Sequence, residues 1–131
     1  MENKPVRRKI LVIDDERDLR EAIAELLEKS GYRAICAAGG AEGVRLNEQE
    51  NPDVIVLDLR MPGMDGIETL RRIRERDSEV SVVILTANGS FDTIREAVGL
   101  SASEYLSKPF ENREFIGLVG DLLWRQMAVN R

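Results

Sequence analysis

Asp14, Asp15, Asp58, Thr86 and Lys108 are the residues of this chain best suited to phosphate or metal chemistry, and each follows a short, largely apolar run. Ile10-Leu11-Val12-Ile13 runs into Asp14-Asp15, and Val54-Ile55-Val56-Leu57 runs into Asp58. Val82-Val83-Ile84-Leu85 runs into Thr86, and Tyr105-Leu106-Ser107 runs into Lys108-Pro109. If these runs are parallel neighbours in one sheet, three carboxylates, a hydroxyl and an ammonium converge at its carboxyl edge, where open parallel sheets bind ligands. Carboxylates so gathered repel each other, so either their pKa values rise or a cation sits among them. With no histidine in the chain and no cysteine nearby, the ligands would be hard oxygens, which suit Mg2+ or Mn2+. A carboxylate can also act as a nucleophile and form an acyl phosphate. That step needs a metal on the phosphoryl oxygens and a cationic partner for the charge that builds up. Lys108 can supply the cation as a point charge, and Thr86 can donate a hydrogen bond to a phosphoryl oxygen. The set reads as a site that accepts phosphate on Asp58.

The elements that must position these residues alternate between strand and amphipathic helix. Leu19, Ala22, Ile23, Leu26 and Leu27 have one-face helical spacing. Ser30-Gly31 ends that helix, with Gly31 as a left-handed cap. Arg33 to Ala37 reads as a second strand. A second helix runs from about Ala41 to Gln49, up to Asn51-Pro52, although Gly43 inside it costs roughly 1 kcal/mol against Ala. Arg60-Met61-Pro62-Gly63-Met64-Asp65-Gly66 is a turn-rich loop. Ile67, Leu70 and Ile73 mark a third helix, and Phe91 to Val98 a fourth that ends at Gly99. A fifth runs from Arg113 to about Met127, with Phe115, Leu118, Val119, Leu122 and Leu123 on its buried face. The result is five βα units with strands three and four apolar throughout, as strands covered on both faces should be. Right-handed crossovers then make an α/β, doubly wound, three-layer sandwich. Of its strand orders, 2-1-3-4-5 is the one that brings Asp14-Asp15 beside Asp58.

The chain's 131 residues suffice for one domain with a real core, and we take 1–131 as a single domain with its core at about 9–127. Apolar residues make up 43%, a globular composition. A net charge of −5, with no basic run longer than Arg7-Arg8-Lys9, argues against nucleic-acid binding by this domain. Its apolar runs are too short to span a membrane, and Met1 to Pro5 lacks the apolar core of a signal peptide. Cys36 is the only cysteine, so no internal disulfide forms and a cytoplasmic setting fits. Cys36 itself reads as a small buried strand residue. The Arg71-Arg72-Arg74-Arg76 cluster reads as the solvated face of helix three.

Four stretches carry a family resemblance: Ile10 to Glu16 (ILVIDDE), Asn51 to Gly66 (NPDVIVLDLRMPGMDG), Val83 to Asn88 (VILTAN) and Glu104 to Phe110 (EYLSKPF). The chain resembles the receiver domain of bacterial two-component response regulators from about Lys9 to Met127. Each motif alone is weak, but all four in this order and spacing are specific. The resemblance implies the flavodoxin-like (βα)5 sandwich and makes Asp58 the phosphoacceptor. Asp15 would ligate Mg2+ directly, with Asp14 close by and mainly water-mediated. Asp58 and the backbone carbonyl of Arg60 would complete the protein ligands. Thr86 would be the switch hydroxyl, Lys108 the phosphate's partner, and Tyr105 the aromatic that turns inward when Thr86 moves. The Lys108–Pro109 bond is usually cis in the family. Ala87 is small and leaves room for a phosphodonor, while the side chains of Arg60 and Asn88 flank the site. Gly43, where Ala is usual, and Ser101-Ala102, where Gly-Ala is frequent, depart from the family pattern.

By the same resemblance the partners are a sensor histidine kinase or histidine phosphotransfer protein and a downstream output domain or partner protein. The output would act through the face made by helix four, strand five and helix five, and helices four and five would also be the homodimer surface. The apolar spacing of the last helix, kept through Leu122-Leu123 and Met127, leans toward a helix leading into a linker. The expected role is a signalling switch rather than an enzyme. A phosphatase of the haloacid dehalogenase type would need an acid two residues after its nucleophile, where Arg60 stands. A flavodoxin-type FMN domain would need a Ser/Thr/Gly-rich phosphate loop where Asp14-Asp15-Glu16 stands and would repel phosphate. A purely structural receiver, indifferent to phosphate, is the third alternative.

Overall fold

The computed structural model describes residues 7–60, 65–87 and 91–129. The elements run β1 (Lys9–Ile13), α1 (Arg17–Lys29), β2 (Arg33–Ala37), α2 (Gly40–Glu50), β3 (Val54–Asp58), α3 (Gly66–Arg76), β4 (Ser81–Thr86), α4 (Phe91–Gly99), β5 (Glu104–Ser107) and α5 (Asn112–Val129). The strands form one sheet in the order β2-β1-β3-β4-β5, every neighbouring pair parallel. The expected architecture and order are both present.

Strand alternation sorts the core into two halves. Ile10, Val12, Val54, Val56, Val83 and Leu85 pack on one face of the sheet with Ile23 and Leu27 of α1 and Phe115, Val119 and Leu122 of α5. Leu11, Ile13, Ile55, Leu57, Val82 and Ile84 pack on the other with Leu70 and Ile73 of α3, Ala97 of α4 and the partly buried Val44 of α2. β3 is buried at every position and β4 at every position after Ser81, which explains their unbroken apolar runs.

α1 ends in a Schellman motif: Tyr32 N–H donates to Leu27 O, Gly31 N–H donates to Glu28 O, and Gly31 has φ +96°. α4 ends in the same pattern, with Ala102 N–H on Ala97 O and Ser101 N–H on Val98 O. Its left-handed position is Ser101 (φ +61°), two residues beyond Gly99, where the helix ends as expected. A side chain there is strained where glycine is not. Ser101→Gly should raise stability by about 0.5–1 kcal/mol, read as a rise of a few degrees in melting temperature.

Gly43 stays within α2 because α2 lies close to β1. A Cβ at this position would come 2.5 Å from Ile13 Cδ1, so tight packing offsets the helix cost of glycine.

Two sequence expectations change. Cys36 is exposed, not buried, because β2 is an edge strand. Arg74 does not join Arg71, Arg72 and Arg76 on the solvated face. It is half-buried, and its guanidinium donates to four backbone carbonyls. Near the end of α5, Met127 is exposed, and Gln126 turns inward, its Nε2 donating to Asp53 O at 2.8 Å and Ser81 Oγ at 2.9 Å. Among the described residues no helix is long and apolar enough to cross a membrane.

Candidate functional site

The switch point of the sheet lies between β1 and β3, and there the chain leaves both strands through carboxylates. Asp14 is buried immediately after β1, and Asp58 is buried as the last residue of β3. Asp15 is exposed beside them. One carboxylate oxygen from each of the three lies within 4.8 Å of the others. Lys108, which follows β5, reaches in with its Nζ 3.3 Å from Asp58 Oδ2 and 3.6 Å from Asp14 Oδ2. Thr86 is buried at the end of β4, in register with Ser107, and its carbonyl accepts the Lys108 N–H at 2.8 Å. That bond fixes where the lysine leaves the sheet. The Lys108–Pro109 bond is cis.

Backbone donors orient the two buried acids. Asp58 Oδ1 accepts the Arg60 N–H at 3.0 Å, and Asp14 Oδ1 accepts the Glu16 N–H at 2.9 Å. Asp14 thus braces the turn into α1 without capping it, since Glu16 holds the N-cap position and offers no side-chain bond. The second oxygen, Asp14 Oδ2, is buried with no hydrogen-bond partner. Burial above all, then the neighbouring Asp58 and Asp15 charges, raise the Asp14 carboxyl above its ordinary pKa, against the Glu16 N–H and Lys108. One ammonium offsets only part of three negative charges. A hard divalent cation fits this oxygen set and would give the orphaned oxygen a partner.

Two expectations follow for metal binding. Mg2+ should raise the melting temperature, by about 2.7 kcal/mol of stability at a hundredfold excess over Kd. Asp15→Asn should lose most of that gain, and an equal gain in both proteins would place the metal elsewhere. The gain should also depend on pH. A carboxyl whose folded pKa lies above its unfolded value costs stability as pH rises from the unfolded value through the folded one. The metal-free protein therefore bears the full Asp14 cost only above the raised pKa, where Mg2+ should help most, and the gain should shrink as pH falls and Asp14 protonates.

Arg60 and Ala87 are exposed. Tyr105 points outward from β5 and is 53% exposed. Asn88 and the 61–64 stretch lie outside the described residues. Sequence reasoning passed over Gly66 as a plain turn glycine. A Cβ there would collide with Leu59 Cα and come 2.7 Å from Asp58 O. The Gly66 N–H also donates to Leu59 O at 3.1 Å, so the start of α3 lies directly against the segment that carries Asp58. Beside Lys108, a groove of about 470 Å3 runs between Leu19, Ala22, Ile23 and Leu26 of α1 and Pro109-Phe110.

The family model of the response regulator receiver domain matches residues 10–119. The chain belongs to this family. The receiver domain is 40% identical over 103 residues to sporulation initiation phosphotransferase F of Bacillus subtilis (strain 168), covering 79% of this chain and 83% of that one. The receiver domain of the Francisella response regulator 1452 is similar at 34% identity and a TM-score of 0.84, over 92% of this chain and 99% of that one. A CheY-like receiver domain protein from Methanospirillum hungatei JF-1 shares the fold, with a TM-score of 0.91 at 24% identity, over 94% and 98% of the two chains. Membership places this receiver domain in two-component signalling.

Proposed function

We propose that this receiver accepts a phosphoryl group on Asp58 from a phosphohistidine of a sensor histidine kinase or histidine phosphotransfer protein. The observation that carries the proposal is the Asp58 carboxylate, with the Lys108 ammonium at 3.3 Å and two further carboxylates gathered around it. An Asp58 oxygen attacks phosphorus, the P–N bond breaks, and the released imidazole keeps its electron pair and takes up a proton. The product is an acyl phosphate on Asp58. Mg2+, held by Asp15, Asp58, the Arg60 carbonyl and, mainly through water, Asp14, would neutralise phosphoryl charge; Mn2+ suits the same oxygens. Lys108 exchanges its ion pair with Asp58 for one with the phosphate, so a cation stays on the developing charge. The apolar groove beside Lys108 offers the donor a surface on which to seat its phosphohistidine against the site.

Phosphorylation then draws the Thr86 hydroxyl toward the phosphate and frees space for Tyr105, which now points outward. The face that changes is α4-β5-α5, where Val98 and Tyr105 are exposed and Arg125 pairs with Glu104 at 3.4 Å. That face would control an output domain or partner, or pair two copies through α4 and α5. A cytoplasmic setting and a single 1–131 receiver unit belong to the same proposal, as does a switching rather than a metabolic role. This is a local electrostatic event that biases a two-state element.

Nuclear magnetic resonance of the chain with and without beryllofluoride and Mg2+ tests the switch. Signals of the α4-β5-α5 face should shift in the wild type. Thr86→Ala should bind the phosphate mimic yet lose most of the shift at Tyr105. A full shift in the variant would rule Thr86 out as the link.

A further inference from the structure

α3 and α4 are joined at one end by a single side chain. Arg74 Nε donates to Leu100 O at 2.9 Å and Nη2 donates to Ser101 O at 2.7 Å. Its Nη1 donates to Val80 O at 2.7 Å and Asp77 O at 3.2 Å. Leu100 and Ser101 are the two residues that close α4, and their own N–H groups are already spent, Leu100's on Glu96 O and Ala97 O and Ser101's on Val98 O. The guanidinium thus takes up carbonyls at the negative end of the α4 dipole and ties them to the connection between α3 and β4.

A second tie lies one turn back, where Arg71 Nη2 stands 3.8 Å from Glu96 Oε2. Just beyond α4, Ser103 bonds the start of β4 twice: its N–H donates to Val82 O at 2.8 Å, and its Oγ accepts the Val82 N–H at 3.0 Å. These bonds all gather at the carboxyl-terminal end of α4. The other end begins at Phe91, five residues after Thr86.

We propose that Arg74 is a positioning residue that pins the carboxyl-terminal end of α4, so that movement of Thr86 tilts the helix about that end rather than sliding it. The inference rests on Thr86 being the moving residue of the proposed switch. A nine-residue helix is about 13.5 Å long. A displacement of about 1.5 Å at its amino-terminal end then tilts it by about 6°, leaving residues near Leu100 almost in place. Arg95, nearer the moving end, shifts further than Val98, so the outward face carries a moving half and a stationary half.

Hydrogen–deuterium exchange of the full chain, with and without beryllofluoride and Mg2+, reads this directly. In the wild type the mimic should change exchange in the first half of α4 and leave 96–102 nearly unchanged. In Arg74→Gln, which keeps a donor but loses the fork and the charge, the change should spread into 96–102 by roughly threefold or more, with mimic affinity within about twofold of wild type. Arg74→Lys, a milder change, should spread it less. A wild-type response equal along the whole helix would overturn the pivot while leaving the switch intact. So would an Arg74→Gln profile identical to wild type. If the wild type binds the mimic with no change anywhere in α4, the movement from Thr86 fails, and the pivot with it. The wild-type profile decides between these outcomes even if Arg74→Gln folds poorly.

Discussion

Incubation with acetyl phosphate and Mg2+ should add one phosphoryl mass to the intact protein, and Asp58→Ala should abolish the gain completely. Asp58 is the buried carboxylate that Lys108 approaches more closely, at 3.3 Å against 3.6 Å for Asp14. Its Oδ1 is held by the Arg60 N–H, which would leave Oδ2, on the lysine side, as the attacking oxygen of the proposed transfer. Loss of the adduct in the variant would not reflect unfolding. Removing one of three crowded carboxylates relieves repulsion, and Lys108 keeps Asp14 as a partner. The metal-free variant should therefore melt no lower than wild type. Omitting Mg2+ should also remove the adduct. If the wild type gives no adduct, fast hydrolysis is separated from inactivity by beryllofluoride, which should bind tightly only with metal. Failure of both would leave an interaction module with a relic site.

Gly66→Ala should be the most destabilising single-methyl change near the site, at more than about 3 kcal/mol, or roughly ten degrees or more in melting temperature. The added Cβ would meet Leu59 Cα, Asp58 O and Leu59 C, all of them backbone. No rotamer change relieves such a contact, so α3 or the end of β3 must shift. At Gly43 the atoms met belong to the Ile13 side chain, which can turn aside. Because the strain at Gly66 falls on the peptide after Asp58, the folded fraction should also take up phosphate more slowly. An unchanged melting temperature would mean that α3 docks less closely than these contacts require.

Much of this architecture was legible because its signals are local. A run such as Val54 to Leu57 can be buried on both faces only in an inner parallel strand. Leu19, Ile23 and Leu26 can share a surface only on a helix. Chemistry-bearing residues sit at the carboxyl ends of strands, so their place in the chain also states their place in the fold. The order 2-1-3-4-5 could be argued because it alone gathers the carboxylates, and the sheet has that order. The misreadings arose where local composition and three-dimensional surroundings diverge. Cys36 lies in an apolar-looking strand, yet that strand is an edge. Arg74 lies in an arginine-rich helix, yet four backbone carbonyls draw it away from solvent.

The sequence by itself determined the kind and order of the elements, the fold class and the set of residues at the sheet edge, because periodicity and strand-end chemistry are written in neighbouring residues. Only the tertiary structure decided that Arg74 leaves the solvated arginine face, that Gln126 turns inward and that Gly66 must lack a side chain. Arg74 finds two of its carbonyls 26 and 27 residues away, and Gln126 finds Asp53 O 73 residues away. The partners in these cases are mostly backbone atoms, which every residue carries alike. Nothing in the side-chain code announces them until folding brings the segments together.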